Sequence, residues 1–178
     1  IEGFLRWYDT LKSIKYAALR YFNAAGYDRD GRITGLEQNP ANLLPVVMEV
    51  AIGWRDKLHI FGDDYDTEDG TGVRDYVHVS DLASAHVMGL EYLIEKNESI
   101  TINLGSEKGA SVLDMLNAAR TISGEPIPSK VTGRRPGDTD ILYASSAKAN
   151  ELLGWKAEYS DLHTLVGSTW EVYKKHSK

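Results

Sequence analysis

Arg134-Arg135-Pro136-Gly137-Asp138 carries the clearest anion-binding chemistry in this chain. A guanidinium presents a planar fork that matches pyrophosphate oxygens, and Pro-Gly fixes a turn able to aim it. The same residues also fit a solvated surface pair, and composition leaves both readings open. Arg74 follows Gly70-Thr71-Gly72, a loop that permits close backbone approach, and is a second candidate. Its alternative is an ion pair with a nearby carboxylate. The acidic run Asp63, Asp64, Asp66, Glu68, Asp69 invites a calcium loop. Counted from Asp64, however, the glycine position holds Asp69 and the closing glutamate position holds Asp75, so a solvated turn is preferred. Asp75, His78 and Asp81 could form an acid–base or metal cluster. On a strand Asp75 and His78 would face opposite ways, which favours a structural capping role for Asp81 near the helix start. The histidines lack zinc-ligand spacing. Tyr8 and Lys12 match Tyr-x-x-x-Lys and would share one helix face. Gly70-x-Gly72 is rejected as a dinucleotide loop, because the third glycine is missing and a strand follows.

Placing these groups requires alternating helices and short strands. Phe4, Leu5, Tyr8 and Leu11 recur at helical spacing, so Ile1 to about Ser13 reads as an amphipathic helix without an N-cap signal. Tyr16 to Phe22 reads as a buried strand and Asn23 to Pro40 as a loop. Asn42 is expected to cap a helix to Ile52, with Pro45 in its first turn. Leu58–Phe61 and Arg74–Val79 are expected strands flanking a Gly62–Gly72 loop. Ser80 is expected to cap a helix to about Lys96, with Leu82, Ala85, Gly89, Leu90 and Leu93 inward. Ile100–Leu104 reads as a strand, and Ser111 with Asp114 as a capping-box helix start stopped by Gly124. Ile127–Thr132 is extended, Ser145 or Ser146 starts a helix closed by Gly154, and Ser160 starts the last helix, to about Lys175. The fold class is α/β.

The 178 residues allow one ordinary core, and 42% hydrophobic with 26% charged residues is common globular usage. A formal net charge of −6 argues against nonspecific attraction to nucleic acid or an anionic membrane. With no cysteine, disulfides, thiolate nucleophiles and cysteine zinc sites are excluded. Residues 1–20 do not read as a signal peptide, and no apolar run approaches a membrane span, so a cytoplasmic protein is expected.

Six segments act as anchors: Arg20-Tyr21-Phe22-Asn23-Ala24-Ala25-Gly26, Asn42-Leu43-Leu44-Pro45, the Gly62–Asp81 block, Asn103-Leu104-Gly105, Arg134–Asp138 and Leu153-Gly154-Trp155. Together they resemble the C-terminal portion of the UDP-glucose 4-epimerase family of extended short-chain dehydrogenases/reductases, over essentially the whole chain. The resemblance implies the last strands of a Rossmann-type parallel sheet plus a small α/β substrate-binding domain. Residues 1–26 and about 80–110 would belong to the cofactor-domain sheet, and 27–79 and 111–178 to the substrate domain. Such enzymes are isomerases of galactose metabolism. A bound NAD takes a hydride from C4 of the UDP-sugar and returns it to the other face, with a Tyr-x-x-x-Lys pair serving proton transfer.

In that family the catalytic tyrosine lies much further upstream of the Tyr21-Phe22-Asn23 strand than Tyr8 does. The resemblance therefore implies that the catalytic pair and the glycine loop are absent, that NAD is held mainly by an N-terminal domain, and that this portion is inactive alone. It also implies a homodimer, and aggregation-prone strand edges in the isolated portion. Asn23, Arg74 and Arg135 would hold the pyrophosphate, and Asn42 and Leu43 the phosphate and sugar. His59 and Phe61 would line the uracil, and Asp138 would accept from the ribose hydroxyls. Tyr76 and Leu142 would border the sugar, and Tyr21 would sit near the nicotinamide. Gly35–Asn42 lacks a histidine common in this loop, and Ala41 replaces a polar residue. Leu142 is intermediate in size at a position that affects acceptance of N-acetylated sugars. The rivals are a UDP-N-acetylglucosamine 4-epimerase, a decarboxylase or dehydratase of the same fold, a non-catalytic sugar-nucleotide-binding module and, last, a calcium-binding domain.

Overall fold

The computed structural model describes residues 1–177; the 111–178 segment assigned above extends one residue, Lys178, outside them. The elements run α1 (Glu2–Lys12), β1 (Ala17–Arg20), β2 (Asn23–Ala25), α2 (Leu43–Ala51), β3 (Leu58–Phe61), β4 (Val73–His78), α3 (Val79–Lys96) and β5 (Ile100–Asn103). They continue with β6 (Gly109–Ser111), α4 (Val112–Ser123), β7 (Ser129–Thr132), β8 (Ile141–Leu142), α5 (Ala147–Leu153) and α6 (Leu162–Tyr173). Parallel pairing dominates, as helix-covered α/β units require. β1 pairs β5, β2 and β8 pair β4, and β3 pairs β7, all parallel; among the described residues only β6 runs antiparallel, to β4.

Local chemistry explains most helix ends. Ser111 and Asp114 form a complete capping box on α4, and Gly124 and Gly154 close α4 and α5 in the left-handed region. Five expectations are corrected, four here and the capping role of Asp81 below. Asn23–Ala25 is strand rather than loop, because pairing to Tyr76–His78 of β4 satisfies its backbone. The cap of α3 is His78, whose Nδ1 accepts from the Ser80 N–H at 3.0 Å, and not Ser80. The last helix is capped by Asp161 instead of Ser160, whose hydroxyl is already bound to Asp81 at 2.6 Å. Leu90 is 59% exposed, and Val87 and Ile94 also face solvent, because among the described residues no element covers that stripe of α3. The apolar face of α1 is uncovered too: α1 buries no residue, and Phe4, Trp7 and Leu11 lie exposed.

Strand β4 divides the core. Successive side chains alternate sides, so Tyr76 enters a cluster with Leu44, Met48, Met115 and Leu165, whereas Val77 enters one with Leu82, Ile102, Leu104 and Trp155. Asp75 and His78 do point opposite ways. Asp75, fully buried, accepts from the Ser106 N–H and Oγ and the Ala144 N–H. Asp81, also buried, does not cap its own helix; it accepts from the Glu158 and Tyr159 N–H groups and Ser160 Oγ, fixing the chain before α6.

His78 is fully buried. Its Nε2 sits 3.2 Å from Ser168 Oγ, which itself donates to the Leu165 carbonyl. That network assigns the proton to Nε2 and leaves Nδ1 as acceptor. Burial, reinforced by Arg29 and opposed by Asp81, Asp161 and Asp28, lowers the imidazole pKa below its ordinary 6.5. A lowered histidine pKa means that the unfolded chain binds the proton first. The stabilisation is complete above pH 6.5 and is lost as pH falls through that value toward the folded pKa. Unfolding free energies should therefore drop from about pH 7.5 to about pH 5.5. In His78→Asn, which keeps an acceptor but cannot titrate, the drop should be smaller; parallel urea-melt profiles would dismiss His78 as its source.

Candidate functional site

One pocket of about 590 Å³ opens between β3, the N-terminal end of α2, β4 and the 133–138 turn. Alternation along β3 turns His59 and Phe61 toward it while Leu58 and Ile60 enter the core. The N-terminal end of α2 brings Asn42, Leu43 and Val46 to the wall. Asn42 is the N-cap, but its side chain makes no capping bond, so it and the first-turn N–H groups can meet an anion. Asn23 is fixed by donating its amide to the Asp75 carbonyl at 2.7 Å.

The pocket is basic although the protein is acidic. Arg74 Nη1 donates to the Val73 carbonyl at 2.8 Å, and Nη2 lies 3.5 Å from Asp138. Arg135 donates from Nε to the same carboxylate at 3.0 Å, and its guanidinium lies 4.7 Å over the Phe61 ring. Two cations thus converge on one anion, leaving net positive charge for a ligand. The ion-pair alternative for Arg74 therefore coexists with its place in the pocket. Burial pushes the Tyr76 hydroxyl pKa up to about 12, against the pull of Arg74 and Arg135. The hydroxyl therefore stays protonated near neutrality and can donate a hydrogen bond but not act as a base.

Nine of the ten residues expected to bind substrate line this pocket: Asn23, Asn42, Leu43, His59, Phe61, Arg74, Tyr76, Arg135 and Asp138. Leu142 does not; it pairs with Arg74 across β8 and β4 and is not on the pocket wall. Tyr21 lies apart, just past β1, partly exposed and edge-on to His86 at 6.3 Å. Tyr8 and Lys12 are exposed on α1. Arg55, Lys57 and Tyr65 also line the pocket and were not singled out from sequence. The β3 alternation extended by two residues would have found Lys57.

Two carboxylates of the acidic run are engaged by protein partners. Asp64 pairs with Arg134, which holds its carboxyl below the usual range. Asp69 accepts from the Thr71 N–H and hydroxyl, at 2.8 and 2.7 Å, and from Ser111. Burial opposes its charge, but these bonds outweigh it and lower the pKa. Among the described residues no group of three or more carboxylates and histidines is arranged to hold a metal.

A family model described as GDP-mannose 4,6 dehydratase matches residues 2–168. The chain belongs to that family. Its curated relatives include the UDP-glucose 4-epimerase of Streptococcus mutans serotype c, 48% identical over all of this chain and 54% of that protein. This chain thus spans about half the length of the curated relatives it matches. Among solved structures, the epimerase from Stenotrophomonas maltophila, with bound NAD and formylated UDP-arabinopyranose, superposes with a TM-score of 0.92 at 40% identity. That match covers 99% of this chain and 52% of that one. The UDP-Glc/GlcNAc 4-epimerase of Campylobacter jejuni gives 0.81 at 40% identity, covering 98% and 53%. The resemblance to UDP-glucose 4-epimerases drawn from the motifs is borne out.

A family that binds NAD raises the question of which residues here could hold it. Gly70 and Gly72 cannot: Gly70 (φ +76°) faces the Asp63 carbonyl, which a Cβ would meet at 2.2 Å, so the loop is closed on itself. Gly70 instead shapes a loop that ends at the pocket wall. Gly70→Ala should destabilise the chain by about 2 kcal/mol or more through left-handed strain and that clash. The check is a lower urea midpoint at unchanged m-value, and an unaltered midpoint would contradict the steric argument.

Proposed function

We propose that this chain forms the UDP-sugar-binding half of an NAD-dependent enzyme that interconverts UDP-glucose and UDP-galactose at sugar C4. The observation that carries the reading is the convergence of Arg74, Arg135 and the α2 N-terminal end on the pocket that Phe61 and His59 also line. Two arginines and free helix N–H groups suit a diphosphate, and an exposed aromatic ring beside them suits a base. In this reading Asn23, Arg74 and Arg135 hold the pyrophosphate, Asn42 and Leu43 meet phosphate and sugar, and His59 and Phe61 take the uracil. Asp138 accepts from the ribose hydroxyls and Tyr76 donates toward the sugar; Leu142, off the pocket wall on β8, would meet only a sugar that extends past that wall. Tyr21 meets the nicotinamide.

In the same proposal NAD is held mainly by the enzyme's own N-terminal domain. Residues 1–26 and about 80–110 complete that domain's sheet, and 27–79 with 111–178 form the substrate domain. The uncovered apolar faces of α1 and α3 supply contacts for that domain and for a second copy in a homodimer. A cytoplasmic enzyme suits a chain without cysteine. A second reading, acceptance of N-acetylated UDP-sugars, is favoured by the likeness to the Campylobacter jejuni UDP-Glc/GlcNAc enzyme.

The test is calorimetry with UDP, with circular dichroism confirming the fold of each variant. Arg135→Ala should weaken UDP by about tenfold or more, one charge-assisted contact amounting to about 1.4 kcal/mol or more. Asp138→Asn should weaken UDP through the ribose yet strengthen inorganic pyrophosphate, because it removes the carboxylate beside the phosphates. UDP binding indifferent to Arg135→Ala would sink the phosphate assignment. The chain alone, given NAD and UDP-galactose, should form no UDP-glucose; conversion at an enzymatic rate would refute the division of labour between the two halves.

A further inference from the structure

Arg134 and Arg135 are neighbours with different surroundings. Arg135 lines the pocket. Arg134 turns to the 62–66 loop: Nε donates to Asp64 Oδ1 at 2.7 Å, Nη2 donates to the Asp64 carbonyl, and Nη1 lies 3.7 Å from Asp140. Its guanidinium also lies 4.0 Å over the Tyr65 ring. We propose that Arg134 is a positioning residue: it braces the 133–138 turn so that Arg135 meets the phosphates already aimed. The proposal rests on the reading of Arg135 as a phosphate ligand.

Three observations support a built brace over a chance surface pair. First, the loop that receives Arg134 is itself held. The Gly62 N–H donates to the Thr132 carbonyl at 2.9 Å, the Tyr65 N–H to the Gly70 carbonyl at 2.9 Å, and the Asp66 N–H to Asp140 at 3.3 Å. Second, residue 62 has room only for glycine. A Cβ there would lie 2.7 Å from both Arg134 Cγ and Tyr65 Cε2, so the missing side chain is the slot in which the arginine stem lies against the ring. Third, Tyr65 is buried with its hydroxyl unpartnered, so the ring is held by packing and by the cation on its face. The fork, the carbonyl bond and the stack need a planar guanidinium; a lysine ammonium cannot make all three. Asp138, at the far end of the turn, is held apart from Arg134, by Arg74 on β4 and by Arg135, so the brace acts on Arg135.

The experiment is a double-mutant cycle on the 178-residue chain, with Arg134→Ala and Arg135→Ala singly and together. UDP affinity is read by calorimetry and uridine affinity by ligand-detected NMR. Arg134→Ala should weaken UDP by about 5–20-fold and leave uridine within about twofold. In the Arg135→Ala background it should change UDP by less than about twofold, since the residue it positions is gone. Arg134→Lys should fail to restore affinity, and Tyr65→Leu, which leaves the Asp64 pair intact, should reproduce a phosphate-selective loss. Equal loss of UDP and uridine would mean general loosening, and full additivity would mean that Arg134 acts independently; either overturns the brace. A folded chain that binds uridine but loses no UDP affinity in Arg135→Ala would overturn the phosphate reading itself.

Discussion

Asp75 and Asp81 are buried carboxylates, and the loops before α5 and α6 are arranged around them. Burying a polar group without hydrogen-bond partners is costly, so each collects donors from elsewhere in the chain. Asp75 draws the Ser106 and Ala144 segments onto β4, and Asp81 draws residues 158–160 onto the start of α3. Helices α5 and α6 enter the fold through those two loops. The same constraint makes Gly105 tight, because a Cβ there would stand 2.7 Å from Asp75 Oδ2 and 2.4 Å from the Ala144 carbonyl. These bonds fix β4 from one side, which lets its other side present Arg74 and Tyr76 to the pocket.

The electrostatics of the pocket follow from how carboxylates are distributed. A protein of net charge −6 builds a positive pocket by tying its acids down elsewhere. Asp64 takes Arg134, Asp69 takes Thr71 and Ser111, Glu49 takes Arg55, and Asp140 receives the Asp66 N–H. Asp138 is the one carboxylate left on the pocket wall, between two guanidiniums. Surface pairs of this kind contribute little to stability. Their effect here is on the field: Asp138 alone among the pocket-lining residues opposes the fixed cations there.

What was legible in the sequence was local. The Ser111–Asp114 capping box, the glycines after α4 and α5, and the Leu58–Phe61 alternation are each encoded within a few neighbouring residues. So is the separation of Asp75 from His78. What was missed depends on partners far along the chain. Asn23–Ala25 is too short to show a period and is strand only because β4 lies beside it. Ser160 resembles a cap, but its hydroxyl is taken by Asp81, 79 residues away, and the next residue caps instead. His78 caps α3 through an imidazole nitrogen, a use that no capping preference anticipates. Leu90 has the spacing of an inward residue, yet spacing cannot say whether anything covers that face. In the site, motif resemblance brought nine residues to one pocket, whereas chemistry alone reached only Arg74 and Arg135.

The adjacent arginines show why type and spacing could not separate a ligand-facing group from its support. Both have the same chemistry, and the difference lies in what each meets across the fold: an acidic loop 70 residues away for Arg134, and the open pocket for Arg135. The acidic run thus finds a use that neither the calcium reading nor the solvated-turn reading allowed. Asp64 and Tyr65 are the receptor for Arg134, and Gly62 keeps the slot open. A flexible arginine must lose rotamer freedom when it grips a phosphate, and that cost weakens binding. A turn anchored before the ligand arrives has already met part of that cost in folding. On the proposed reading, the 62–66 loop and the 133–138 turn act as one unit whose rigidity would set the affinity of the phosphate end of the site.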